Sequence, residues 1–162
     1  MAARQAHTGR VVATDVNETT LEIARKKEYG DASVIIENID AYDLTGLVHR
    51  VEAVFAADWF SHVPKHMLPP FLERMHRRIG SGAPVVFLDQ MPYIDPDGGE
   101  VWSDAAGNRL HRRTLPDGAK YTVVKNFPEE PELRSLLEGK SEQVRFIEDE
   151  SLRRWLLTYL IK

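Results

Sequence analysis

The chain of 162 residues contains no cysteine, which excludes disulfide bonds, thiolate catalysis and cysteine-ligated zinc. No apolar run approaches the roughly 18 to 20 residues that a membrane-crossing helix needs. The opening residues Met1 to His7 lack the apolar segment of a secretory leader. An excess of basic charge is also missing: 21 Lys and Arg stand against 25 Asp and Glu, for a formal charge of −4. Such a balance gives no general attraction to nucleic acid or anionic lipid, so neither is expected as a partner. Internal repeats, low-complexity tracts and linkers are not found. What is present is an ordinary globular composition, 43% hydrophobic and 28% charged. The length suits one domain with a substantial core. A cytoplasmic location is the default expectation.

The apolar pattern predicts alternating strands and helices. Val11 to Thr14 reads as a buried strand that ends in Asp15 and runs into a helix over Thr19 to Lys27. Ser33 to Glu37 is β-branched and leads to Asp40-Ala41-Tyr42-Asp43, and Val51 to Ala57 is almost continuously apolar, as a strand covered on both faces should be. Lys65 to Ile79 places Met67, Leu68, Phe71, Leu72, Met75 and Ile79 at helical spacing, with Gly80 and Gly82 as its stop. Pro84 to Asp89 is a further strand ending in an acid. This alternation predicts a parallel sheet with helices on both faces. Beyond it, Met91 to Gly107 reads as a loop, and Arg109–Leu115 and Ala119–Lys125 flank the turn Pro116-Asp117-Gly118 as a hairpin. Pro128 to Glu138 reads as a short helix. Gln143–Glu148 and Arg154–Ile161 read as closing strands, although Leu152, Trp155, Leu156 and Tyr159 also fit a helical period.

An acid at a strand's carboxyl end is how nucleotide-binding α/β folds hold a ribose, because a carboxylate accepts from two neighbouring hydroxyls. The simpler role for Asp15 is to cap the following helix. In such folds a glycine-rich turn precedes the acid by roughly 20 residues. Asp15 lies too near Met1 for that, so the chain is expected to start in the middle of its fold, as a truncated reading frame or a domain fragment.

Together, Val11-Val-Ala-Thr-Asp15-Val16, Asn38-Ile-Asp40-Ala41, Val51-Glu-Ala-Val-Phe-Ala-Ala-Asp58-Trp59 and Arg77-Arg-Ile-Gly-Ser-Gly-Ala-Pro-Val-Val-Phe-Leu-Asp89 resemble a class I S-adenosylmethionine-dependent methyltransferase. The resemblance covers nearly the whole chain, and it rests on the order and spacing of these parts rather than on any one of them. It implies an α/β, Rossmann-like three-layer fold with a mostly parallel sheet, incomplete at the N-terminus. Residues 1–162 would form a single domain with a hairpin insertion at about 109–125. The implied cofactor is S-adenosyl-L-methionine and the implied reaction is methyl transfer to a small-molecule acceptor. Asp15 would take the ribose hydroxyls, Val16 the adenine face, and Asp40 and the Ala41 backbone the adenine edge. Ala57, Asp58 and Trp59 would meet the methionine end and the substrate. The family's first strand and glycine-rich loop have no counterpart, with Ala2 to Ala6 as the remnant of the helix that follows them. Cofactor binding and activity are therefore expected to be impaired.

Of the residues after the fourth strand of that family, His62 is the candidate base, since imidazole titrates near neutrality. The plainer role for it is a cap near Pro64, and for Trp59 packing on the next helix. Asp40 equally fits a turn. Asp89 fits the substrate mouth, but more readily a surface-loop carboxylate. The charged hairpin segment His111-Arg112-Arg113 with Lys120 and Lys125 reads as a solvated sheet edge, or else as a flap favouring an anionic acceptor. His62, His66 and His76 do not share one helical face, so no metal site is expected. Tyr121 and Lys125 match the Tyr-x-x-x-Lys pattern of short-chain dehydrogenases, yet on a strand they would stand about 13 Å apart, too far to cooperate. The alternative to an enzyme is a non-catalytic domain that binds a partner protein through an exposed sheet edge. A homodimer is a further option, and the sequence leaves open whether the closing strands Gln143 to Ile161 mediate it.

Overall fold

A computed structural model describes residues 9–93 and 99–162. The expected helical turn at Ala2 to Ala6 and part of the loop after Met91 lie outside the described residues. The chain divides into two compact units between Val51 and Glu52.

In the first unit, β1 (Arg10–Asp15) and β2 (Ser33–Asn38) pair parallel and in register, from Arg10 opposite Ser33 to Asp15 opposite Asn38. A right-handed crossover through α1 (Glu18–Arg25) is the ordinary way to join two such strands. Asn17 caps this helix by accepting from the Thr20 N–H at 3.3 Å, and Glu18 and Arg25 bear charges that oppose the helix dipole. Leu21 buries the inward face of the helix, and Ile39 and Leu47 bury the loop beyond β2. The residues of β1 are half-buried or exposed rather than fully buried as expected.

The second unit holds a four-stranded sheet in the order β3 (Val54–Ala57), β4 (Pro84–Gln90), β9 (Arg154–Ile161) and β8 (Ser141–Asp149). Only β3 and β4 run parallel; β4–β9 and β8–β9 are antiparallel. The expected mostly parallel sheet is therefore corrected to a mixed one. The physical reason is the tight turn between β8 and β9, which reverses the chain without a crossover. In β9 half-buried and buried residues alternate strictly, with Trp155, Leu157, Tyr159 and Ile161 inward, so its helical alternative is excluded.

A one-turn 3₁₀ segment at Lys65–Met67 leads into α2 (Leu68–Ile79), with prolines in its first turn, where no N–H partner is lost. Leu68, Phe71, Leu72 and Met75 form its buried stripe. Phe71 lies 6.5 Å from Phe87 of β4, and Phe87 lies 5.0 Å from Phe60 and 6.3 Å from Tyr159, giving a continuous aromatic core. Gly80 ends the helix at φ +101°, a conformation that opposes any side chain, and donates to the His76 carbonyl at 2.8 Å.

The expected hairpin is present as β6 (Arg109–Thr114) and β7 (Lys120–Val124), but it is part of a three-stranded antiparallel sheet. The third strand, β5 (Val101–Ser103), comes from the stretch expected to be loop. Three residues are too few for a period to show. The short helix α3 (Glu130–Leu137) buries Leu133 and Leu137. Among the described residues no helix is long and apolar enough to cross a membrane.

Candidate functional site

In the first unit the parallel register sets the carboxyl ends of β1 and β2 side by side, so Asp15, Val16, Asp40 and Ala41 gather at one edge. Asp15 closes its own turn, with Oδ1 accepting from the Asn17 N–H at 2.8 Å, and its carbonyl accepts from the Ile39 N–H at 3.2 Å. It does not cap α1, a role taken by Asn17. Val16 stands 61% exposed at this edge. Asp40 makes the turn it was expected to fit: Oδ1 accepts from the Tyr42 N–H at 2.7 Å, and the carbonyl accepts from Asp43 and Leu44. Burial, aided by the Asp40 charge, raises the Tyr42 phenol above its ordinary range.

In the second unit, β3 ends at Ala57 and the chain turns through Asp58, whose φ of +54° is uncommon for a residue with a side chain. The Asp58 N–H donates to Leu88 at 2.9 Å, and its carboxylate pairs with Arg154. Trp59 packs on Phe71 of α2 at 4.8 Å between ring centroids, the packing role foreseen for it. A 3₁₀ turn, Phe60–His62, follows. His62 does not cap the next helix. Its Nδ1 lies 2.7 Å from the Val124 carbonyl at the end of β7. A carbonyl only accepts, so Nδ1 carries the proton and the neutral ring keeps its lone pair on Nε2. Burial lowers the His62 pKa and the Lys125 charge lowers it further, against the Val124 hydrogen bond and the Asp89 charge.

Three residues were misplaced by the sequence. Asp89 is wholly buried, not a surface-loop carboxylate, and Lys125 and His111 are also buried, not on a solvated edge. Lys125 Nζ lies 3.7 Å from Asp89 Oδ1 and donates to Ser61 Oγ at 2.8 Å. Asp89 Oδ2 accepts from the Ser61 N–H at 2.7 Å. Burial pulls the Lys125 ammonium below its usual range, and the Asp89 carboxylate opposes that. Asn126 continues the network: its N–H donates to the Ser61 carbonyl at 2.8 Å and its Nδ2 to the Val63 carbonyl at 3.1 Å. The sequence signal was slight: a strand-terminal acid, and a lysine followed by asparagine at the end of an apolar strand. Tyr121 is 54% exposed while Lys125 is buried, so the dehydrogenase-like pair is not assembled. A concavity of about 350 Å³ beside α3 and β8, lined by Arg134, Leu137, Ser141 and Val144 among others, includes none of the expected site residues.

Comparison with known proteins identifies the family. The family model described as "Methyltransferase domain" matches residues 1–82, half of the chain. The chain belongs to the class I S-adenosylmethionine-dependent methyltransferases, a family whose methyl donor is S-adenosyl-L-methionine. It is similar to the chain in the DhpI–SAH complex structure at 27% identity and a TM-score of 0.66, covering 93% of this chain and 65% of that one. For the DhpI–SAM–HEP complex the figures are 26%, 0.70, 94% and 68%. The chain thus spans about two thirds of the length of these relatives. A SAM-dependent methyltransferase from Aquifex aeolicus, at 18% identity and a TM-score of 0.63 over 97% of this chain and 71% of that one, shares the fold. No curated protein matches the chain.

Proposed function

We propose that the chain is a methyl-transfer domain that uses S-adenosyl-L-methionine on a small-molecule acceptor, and that residues 1–162 act as one domain. The observation that carries this reading is the shared edge of β1 and β2, where two carboxylates and an exposed valine stand together. Those groups fit an adenosine: carboxylates accept from hydroxyl and amino groups, and an apolar side chain covers a flat ring. Asp15 then holds the ribose, Val16 the adenine face, and Asp40 with the Ala41 N–H the adenine edge. In the second unit Ala57, Asp58 and Trp59 serve the methionine end and the acceptor. When bound, S-adenosyl-L-methionine supplies an electrophilic methyl group on a sulfonium. Removing the acceptor's proton falls to His62, through Nε2, while Val124 holds the ring in the required tautomer. DhpI, whose structures are described as SAH and SAM–HEP complexes, supports the choice of methyl donor by similarity.

Titration calorimetry with S-adenosyl-L-methionine and with its demethylated product tests the reading. Saturable binding that Asp15→Ala weakens is the expected result; no heat from a folded, monomeric protein would overturn it. His62→Ala should leave binding intact while slowing transfer about 10²- to 10⁴-fold. A second reading draws on β1 and β3, each of which has one hydrogen-bonded neighbour among the described residues. A partner chain adding a strand at such an edge would make this a binding domain or a homodimer. A stable oligomer together with absent cofactor binding would favour that reading.

A further inference from the structure

The segment Ser61–Val63 carries the proposed base and is held at every backbone group that the surrounding network reaches. The Ser61 N–H donates to Asp89 at 2.7 Å, and the Ser61 carbonyl accepts from Asn126 at 2.8 Å. The Ser61 hydroxyl accepts from Lys125 at 2.8 Å, the His62 ring donates to Val124 at 2.7 Å, and the Val63 carbonyl accepts from Asn126 at 3.1 Å. The two charged members, Asp89 from the end of β4 and Lys125 from just past β7, are at most 1% exposed. An ion pair so deep costs desolvation that an apolar pair would avoid, so its presence at this point calls for a role beyond stability.

We propose, building on His62 as the base, that Lys125 and Asp89 are positioning residues that clamp the Ser61–Val63 turn and keep the His62 ring neutral, with Nε2 as its acceptor. The clamp sets geometry through Ser61, whose N–H and hydroxyl are each fixed by one member of the pair. The charge acts on the ring directly. A buried ammonium close to an imidazole disfavours a second positive charge there. The charged groups that act on His62 are Lys125 and Arg113, which oppose protonation, and Asp89, which favours it. Burial is the first cause of the lowered His62 pKa, and the Lys125 charge acts in the same direction. A neutral imidazole accepts a proton; an imidazolium does not.

The test is the NMR titration of the His62 ring in the full chain. In the wild type His62 should titrate below a histidine in a short peptide. Lys125→Met should move that titration upward. Because removing one partner strands a buried charge, the double variant Lys125→Met/Asp89→Asn is compared alongside, and its titration should also rise, since it too lacks the Lys125 ammonium. Where methyl transfer is measurable, the acid limb of the pH–rate profile should shift in the same direction. An unmoved His62 titration in either folded variant would overturn the assignment, as would a wild-type His62 that titrates no lower than the peptide. Methyl transfer persisting undiminished in His62→Ala would instead remove the base reading, leaving the titration result standing.

Discussion

Asp15 uses one carboxylate oxygen to accept from the Asn17 N–H, and a carboxylate has about four acceptor positions, so the turn leaves capacity for a ligand's hydroxyls. Hydrogen bonds to a charged group contribute about 1.5 to 3 kcal/mol each. Asp15→Ala should therefore weaken S-adenosyl-L-methionine binding by about 10- to 100-fold or more in calorimetry, with the circular dichroism spectrum unchanged. Lys125 belongs to a different balance. Lys125→Met leaves Asp89 buried without its partner and should cost about 3 to 5 kcal/mol in urea unfolding. The double variant Lys125→Met/Asp89→Asn should recover part of that loss, because no unpaired charge remains. The contrast between the two residues also explains what was legible. The position of Asp15 follows from its own strand and the helix after it, which are local facts. That of Lys125 depends on Ser61 and Asp89, distant in sequence, and a lysine at a strand end is ordinarily solvated.

At the scale of elements, α2 and β9 carry the clearest patterns and pack as those patterns require. The stripe of Leu68, Phe71, Leu72 and Met75 is buried, as is every second residue of β9 from Trp155 to Ile161. Leu72 is 1% exposed, so Leu72→Ala should remove about 2 to 5 kcal/mol of stability, seen as a lower urea midpoint with an unchanged slope. Period alone left β9 ambiguous because its residues are nearly all apolar, and eight such residues fit either a strand or a helix. Antiparallel pairing with β4 and β8 settles it. β5 was missed for the opposite reason: its three residues hold no period, and it is a strand only because β6 offers a hydrogen-bonding edge. The polar end of the hairpin sheet has a further consequence. Val124 at the end of β7 and Asn126 just past it fasten to the turn after β3, so this sheet is tied to the segment carrying His62.

For the whole molecule, pH is the simplest probe. His62 and His76 both have pKa values lowered in the folded state, chiefly by burial. The unfolded chain binds protons on these rings at higher pH than the folded chain does, so stability rises with pH across this range. Acidification through the ordinary histidine value of about 6.5 should therefore lower the unfolding free energy, and the loss should level off below the folded pKa values until carboxylates titrate. Urea unfolding at several pH values checks this, and His76→Gln should reduce the slope. The strands that alternate with helices and the acids at the ends of β1 and β4 were determined by the sequence alone, since they follow from local periodicity and from residue type at an element's end; the family followed from the resemblance carried by the order and spacing of those segments. Only the tertiary structure decided that the larger sheet is mixed, that Asp89 and Lys125 meet in the interior, and that His62 turns its Nδ1 to a carbonyl of β7. Each of these depends on contacts between residues far apart in the chain, where pairing direction and burial are set by packing rather than by any neighbour in sequence.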